Sequence, residues 1–139
     1  MATKKGFSIE VSSRYDGWWR YNAALMCGMF DADGNRTGFA SASSHVADVG
    51  SGLAEPPAGV DPARRAVLGT PECDHLVLYI YIIPHKLPDD NDIEATKPFE
   101  IEIAVHRDGR ELFVRKHAIN QWSGASLEIR IGREGEEGA

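Results

Sequence analysis

The chain has 139 residues, 42% of them hydrophobic and 26% charged, and a formal net charge of −6 at pH 7. That length suits one domain burying roughly two-thirds of its unfolded surface. The acidic balance argues against a general affinity for nucleic acid or anionic membrane, because phosphate binding draws on clustered Lys and Arg, and no apolar run nears the ~18–20 residues of a membrane helix, so integral membrane association is not expected.

Met1 to Gly6 has the basic start of a signal peptide without its apolar core or cleavage site, which makes a cytoplasmic location the expectation. Phe7, Ile9 and Val11 alternate with polar residues and predict a half-buried first strand. After the turn residues Tyr15-Asp16-Gly17, the segment Trp18 to Phe30 reads as one long strand. Its odd positions are apolar throughout and its even positions turn from polar to apolar, as in a strand that enters the core as it proceeds. Asp33-Gly34 suits the positive-φ corners of a type I′ hairpin turn. The return segment, Gly38 to Val46, is small and polar apart from Phe39, which suggests an edge strand or a surface covered by another chain.

Ala47 to Pro71 is a long Gly/Ala/Pro-rich crossover. Within it Asp61 as N-cap, Pro62 at the first helical position and Gly69 past the end predict a short helix. The run His75 to Ile83 has apolar residues on both alternating faces: Leu76, Leu78, Ile80 and Ile82 on one, Val77, Tyr79, Tyr81 and Ile83 on the other. That pattern predicts a central strand covered on each side. Pro84 to Asp92 must be loop. Phe99–Arg107 and Arg110–His117 then form a hairpin around Asp108-Gly109, with Arg107 opposite Arg110, Val105 opposite Leu112, Ile103 opposite Val114, Glu102 opposite Arg115 and Glu100 opposite His117. Leu127, Ile129 and Ile131 mark a last strand, and the charged, Gly-rich residues 133–139 are expected to fray. The predicted fold is all-β: an antiparallel β-sandwich of about seven or eight strands with one short helix in the crossover, a single domain over residues 1–132.

Tyr21-Asn22-Ala23-Ala24-Leu25-Met26-Cys27-Gly28-Met29-Phe30-Asp31-Ala32-Asp33-Gly34, the run Asp74 to Ile83, and the hairpin Phe99 to Leu112 together resemble the TerD-like family of calcium-binding β-sandwiches linked to tellurite resistance and stress response. The resemblance implies a C2-like sandwich. The family opens the first stretch with an Asp-x-Asp pair that binds calcium, where this chain has Tyr21-Asn22-Ala23. Its crossover also carries a Gly-Asp-rich segment, where this chain has Ser44 to Gly52. The resemblance therefore implies the fold and not the family's calcium site.

Two acidic loops are nonetheless candidate Ca²⁺ ligands, since that ion needs clustered hard oxygens: Asp31 and Asp33 on one, Asp89, Asp90 and Asp92 on the other. The alternative is a pair of solvated loops. Asp31 does not start an EF-hand, because the sixth position is Arg36 and the twelfth is Ala42. His45, His75, His85, His106 and His117 lack the paired spacings of a zinc site. Cys27 and Cys73 read as reduced, buried thiols, with a single bridge as the alternative in an exported protein. Among the aromatics, core packing competes with a stacking platform. Trp18 and Trp19 would point to opposite faces of a strand, so at most one shares a surface with the other aromatics, and one exposed beside Arg20 would be an interface anchor before a glycan reader. Trp18, Arg20, Phe39 and Trp122 are the candidate interface residues.

No Gly-x-Ser-x-Gly elbow, phosphate loop, HExxH or dinucleotide fingerprint is present, and Gly50-Ser51-Gly52 is too short to cradle a phosphate. The expectation is a non-enzymatic β-sandwich that binds a protein partner or its own copies, as a subunit or adaptor. The alternative is a calcium-dependent ligand- or membrane-binding stress-response module using the acidic loops.

Overall fold

The computed structural model describes residues 6–61, 64–88, 96–132 and 135–137. Period-two alternation of apolar residues is realised as strands β1 (Phe7–Ser12), β2 (Tyr21–Phe30), β3 (Arg36–Ser44), β4 (Ala66–Gly69), β5 (His75–Pro84), β6 (Phe99–Arg107), β7 (Arg110–Ile119), β8 (Ala125–Gly132) and β9 (Gly135–Glu137). They form two antiparallel sheets, ordered β4-β1-β6-β7 and β3-β2-β5-β8-β9. The sheets enclose one core. Phe7, Ile9, Val11, Ile101, Ile103 and Val105 come from the first; Tyr21, Leu25, Leu76, Leu78, Ile80 and Ile131 come from the second. Each buried aliphatic side chain contributes about 1.5–3 kcal/mol. The chain is an antiparallel β-sandwich.

β5 is central, paired with β2 on one side and β8 on the other. Its expected cover on both faces is not found. Leu76, Leu78, Ile80 and Ile82 are buried, whereas Val77, Tyr79 and Tyr81 are half-buried and Ile83 is 42% exposed. In a two-layer sandwich each sheet has a single inner face, and these four residues lie on the outer one.

Trp18 to Phe30 is not one strand. Asp16–Arg20 forms a turn of 3-10 helix, closed by Trp18 N–H donating to the Tyr15 carbonyl at 3.0 Å, and β2 begins only at Tyr21. Gly17 is buried under the Tyr15 ring, where a Cβ would overlap it. Successive residues of a 3-10 turn project about 120° apart and not to opposite faces. Both indoles are therefore covered: Trp18, 1% exposed, joins the core, and Trp19, 9% exposed, lies beside His85.

The helix expected over residues 61–69 is replaced by β4; Pro62 lies outside the described residues. Arg64 N–H donates to the Asp61 carbonyl at 3.0 Å, but Ala66–Gly69 pairs with β1, burying Ala66 and Leu68. So short a helix does not recover its nucleation cost, whereas the open edge of β1 offers ready-made ladder bonds. The β2–β3 turn also departs from type I′: it spans Asp31–Asn35, and of its residues only Gly34 takes a positive φ, 85°.

Asp108 (φ 50°) and Gly109 (φ 80°) both adopt the left-handed conformation, as a type I′ turn demands, and Arg107 faces Arg110 as expected. Beyond that the register shifts at a bulge between Val105 and His106. Val105 faces Phe113, Ile103 faces Arg115, Glu102 faces Lys116 and Glu100 faces Ala118. Glu102 and Arg115, and Glu100 and His117, are therefore not opposite one another as expected. The extra residue lets both Leu112 and Phe113 pack against the core, which strict alternation forbids. At the C-terminus, residues 135–137 pair with β8; residues 133, 134, 138 and 139 lie outside the described residues. Among the described residues no helix is long and apolar enough to cross a membrane.

Candidate functional site

The outer face of the five-stranded sheet is the feature least explained by stability. Gly28 on β2 lies between Phe39 on β3 and Val77 on β5 in the cross-strand register; one step along, Met26 lies between Ser41 and Tyr79. With no side chain at Gly28, a notch opens in the sheet surface, walled by Met26, Phe30, Phe39, Val77 and Tyr79. It forms a groove of about 550 Å³. Phe39 is 69% exposed and Met26 43%. Arg36 stands at the rim, its guanidinium 4.5 Å from the centre of the Phe39 ring, and among the described residues it is the one charged residue in the lining.

β3 pairs with β2 alone, so the backbone donors and acceptors on its far side have no ladder partner among the described residues. Its sequence, Arg36–Ser44, contains no Pro, Lys, Asp or Glu; the exposed Arg36 and the irregularity opposite Met29/Phe30, both features that blunt an edge, fall at its first residues, and β4 of the other sheet approaches it. An open edge beside an apolar groove can accept an added strand: main-chain bonds supply affinity and alternate side-chain contacts supply selectivity.

Of the sequence-predicted interface residues, only Phe39 belongs to this face. Trp18 is buried, its indole N–H 3.4 Å from the Arg64 carbonyl, and is corrected from interface anchor to core residue. Arg20 is half-buried with its guanidinium 5.7 Å from the Trp19 ring centre. Trp122 is half-buried in the Asn120–Gly124 turn, its indole nitrogen buried without a partner. The structure does not bring these three to Phe39. The groove residues Met26, Gly28, Phe30, Val77 and Tyr79 went unrecognised in the sequence. Their signal was there, in the even-numbered apolar positions of β2 and the second apolar face of β5, but it reads equally as core.

The candidate calcium residues divide. Asp89, Asp90 and Asp92 lie outside the described residues. Asp31 uses Oδ1 to accept from the backbone N–H groups of Asp33 and Asn35 at 3.0 and 2.9 Å, and the Asp33 side chain is exposed. Among the described residues no group of three or more His, Cys, Asp or Glu side chains is placed to hold a metal ion.

At one end of the sandwich, two residues from separate loops hold the 3-10 turn. Arg64 donates to the carbonyls of Trp18 (2.9 Å) and Tyr21 (2.5 Å) and to the Ser44 hydroxyl. Its guanidinium lies 4.8 Å from the Trp18 ring centre. His85, 1% exposed, donates from Nε2 to the Trp19 carbonyl at 2.6 Å and from its backbone N–H to the Arg20 carbonyl at 2.9 Å. A carbonyl only accepts, so Nε2 carries the proton and Nδ1 accepts from the Ser51 hydroxyl at 3.0 Å. The His85 carbonyl in turn accepts from Gly50 and Ser51 N–H. Burial is the main cause lowering the His85 pKa, with Arg64 and His45 adding to it against the Trp19 bond. Burial likewise lowers that of Arg64 and raises those of the Cys27 and Cys73 thiols, which keeps both thiols protonated and unreactive. The Ser51–His85 contact joins the crossover to the core.

No protein-family model matches the sequence, and no curated protein matches it. Two solved structures are similar in outline. One is a domain of unknown function, DUF4425, from Bacteroides vulgatus: TM-score 0.46, 9% identity, covering 95% of this chain and 99% of the other. The second is a DUF4425 family protein from Bacteroides ovatus: TM-score 0.38, 10% identity, covering 91% and 93%.

Proposed function

We propose that this β-sandwich is a non-enzymatic interaction module that docks a protein through the β3 edge and the groove beside it. The observation carrying this reading is the coincidence, on one strand, of an edge with no second ladder partner among the described residues and the 69% exposed Phe39 over the notch at Gly28. A large aromatic left in water forfeits burial energy that the core could have used. On the other sheet, the outer face sets Glu10, Arg65, Glu102 and Lys116 around its exposed Val67 and Val114, so that its apolar residues are interspersed with charge.

A photo-crosslinking residue placed at position 39 tests this in the cells that make the protein, with the same residue at position 114 as control. Val114 is also exposed, at 44%, but lies on the four-stranded sheet. The expected result is a discrete adduct from position 39 that is lost when Ser41→Lys places a charge on the edge, and none from position 114. Equal labelling from both positions, or none from position 39, sinks the reading.

A further inference from the structure

The groove and its edge also select the chemistry of what they hold. Resting on the docking reading above, we infer that the occupant is an extended segment of a partner protein that pairs along β3 and carries an acidic side chain two residues from a large apolar one.

The spacing comes from the register. Arg36 faces Phe30 and Phe39 faces Gly28, with the irregularity at Met29/Phe30 absorbing Thr37. Arg36 and Phe39 are thus successive outward-facing positions of β3. Side chains two residues apart on an added strand lie side by side on one face and reach both. The apolar one covers the Phe39 ring and the Gly28 notch. The acidic one meets Arg36, the sole charge in the groove lining, whose guanidinium is held over Phe39 and paired with no carboxylate among the described residues.

Charge also discriminates between occupants. A second copy pairing through its own β3 would bring Arg36 no acid, because β3 contains none. A nucleic acid would need several clustered cations where this groove presents one.

The test uses the full chain and two fluorescein-labelled peptides as long as β3. Each alternates threonine with a central leucine; one carries aspartate two residues from the leucine and the other lysine at that place. Fluorescence anisotropy should show the aspartate peptide binding about three- to tenfold more tightly, with the gap narrowing at high salt. Arg36→Glu should invert the preference. Gly28→Val, which fills the notch, and Phe39→Ala, which removes its wall at an exposed position, should each weaken both peptides, a thermal melt confirming the fold. Equal affinity for the two peptides, a lysine preference, insensitivity to both groove variants, or binding of neither peptide overturns the inference. If neither binds but position 39 still yields its adduct, the docking face stands and only the acidic segment falls. If position 39 yields none, the face itself falls.

Discussion

Gly28 faces Phe39 across the β2–β3 ladder, and a Cβ added at Gly28 would sit 3.8 Å from the Phe39 ring and 3.8 Å from that of Phe30, ordinary van der Waals distances. The glycine is therefore not required by sterics, and no positive φ demands it. Gly28→Ala should raise stability by roughly 0.5–1 kcal/mol, the usual difference between these residues inside a strand. Urea denaturation measures it. A loss of stability would mean that the notch is needed by the fold and not by a ligand.

His85 makes the fold sensitive to acid. Its folded-state pKa lies below the ordinary value of about 6.5, chiefly because burial disfavours the charged ring. Between those two pKa values the unfolded chain binds more protons than the native one, so stability rises with pH there. The contribution is fully present above about pH 6.5 and is lost as pH falls through the folded-state value. Replacing His85 with Ala leaves the Trp19 carbonyl without its donor and opens a cavity, at a cost of about 2–4 kcal/mol at neutral pH. The difference in unfolding free energy between wild type and this variant should shrink on acidification; a difference independent of pH between 7 and 4 would refute a buried neutral imidazole.

Arg64 should resist conservative replacement. Its planar fork serves the Trp18 and Tyr21 carbonyls and the Ser44 hydroxyl while lying over the Trp18 ring. A lysine ammonium cannot reproduce that fan of donors together with the flat contact. Arg64→Lys and Arg64→Met are both expected to cost roughly 2–4 kcal/mol through orphaned carbonyls. Hydrogen exchange should report the loss first in residues 16–21 and 44–51. A Lys variant as stable as wild type would show that charge alone suffices.

Asp31 is expected to act on its turn whether or not calcium is present. Removing its carboxylate in Asp31→Ala releases the Asp33 and Asn35 N–H groups and should cost about 1 kcal/mol. Thermal melts in EDTA and in millimolar Ca²⁺ should show the same loss. A melting temperature of the wild type that climbs with calcium would instead support the calcium-dependent reading, because a ligand of the native state stabilises it.

Much of the architecture was legible because period-two alternation has one physical meaning. Phe7, Ile9 and Val11 face inward by spacing alone, and all three are buried. The Asp108-Gly109 turn was legible for the same kind of reason, since few residue pairs accept two positive φ values. Local preference gave way where a neighbour distant in sequence offered a better-bonded alternative. Residues 66–69 became a strand because β1 had an edge to offer. Trp18 and Trp19 both became covered because a 3-10 turn preceded β2, and a bulge shifted β6 against β7 so that Leu112 and Phe113 could both reach the core.

The candidate site shows the division most clearly. The sequence by itself determined that β5 would be central, that Gly38 to Val46 would be either an edge or a surface covered by another chain, and that Phe39 would be the one large residue of that segment before Val46. It could not determine that Val77, Tyr79 and Met26 face outward, because an apolar residue carries no mark of which layer will cover it. Only the tertiary structure decided that, by stacking the second sheet on one face of the first and leaving Gly28 and Phe39 side by side on the other.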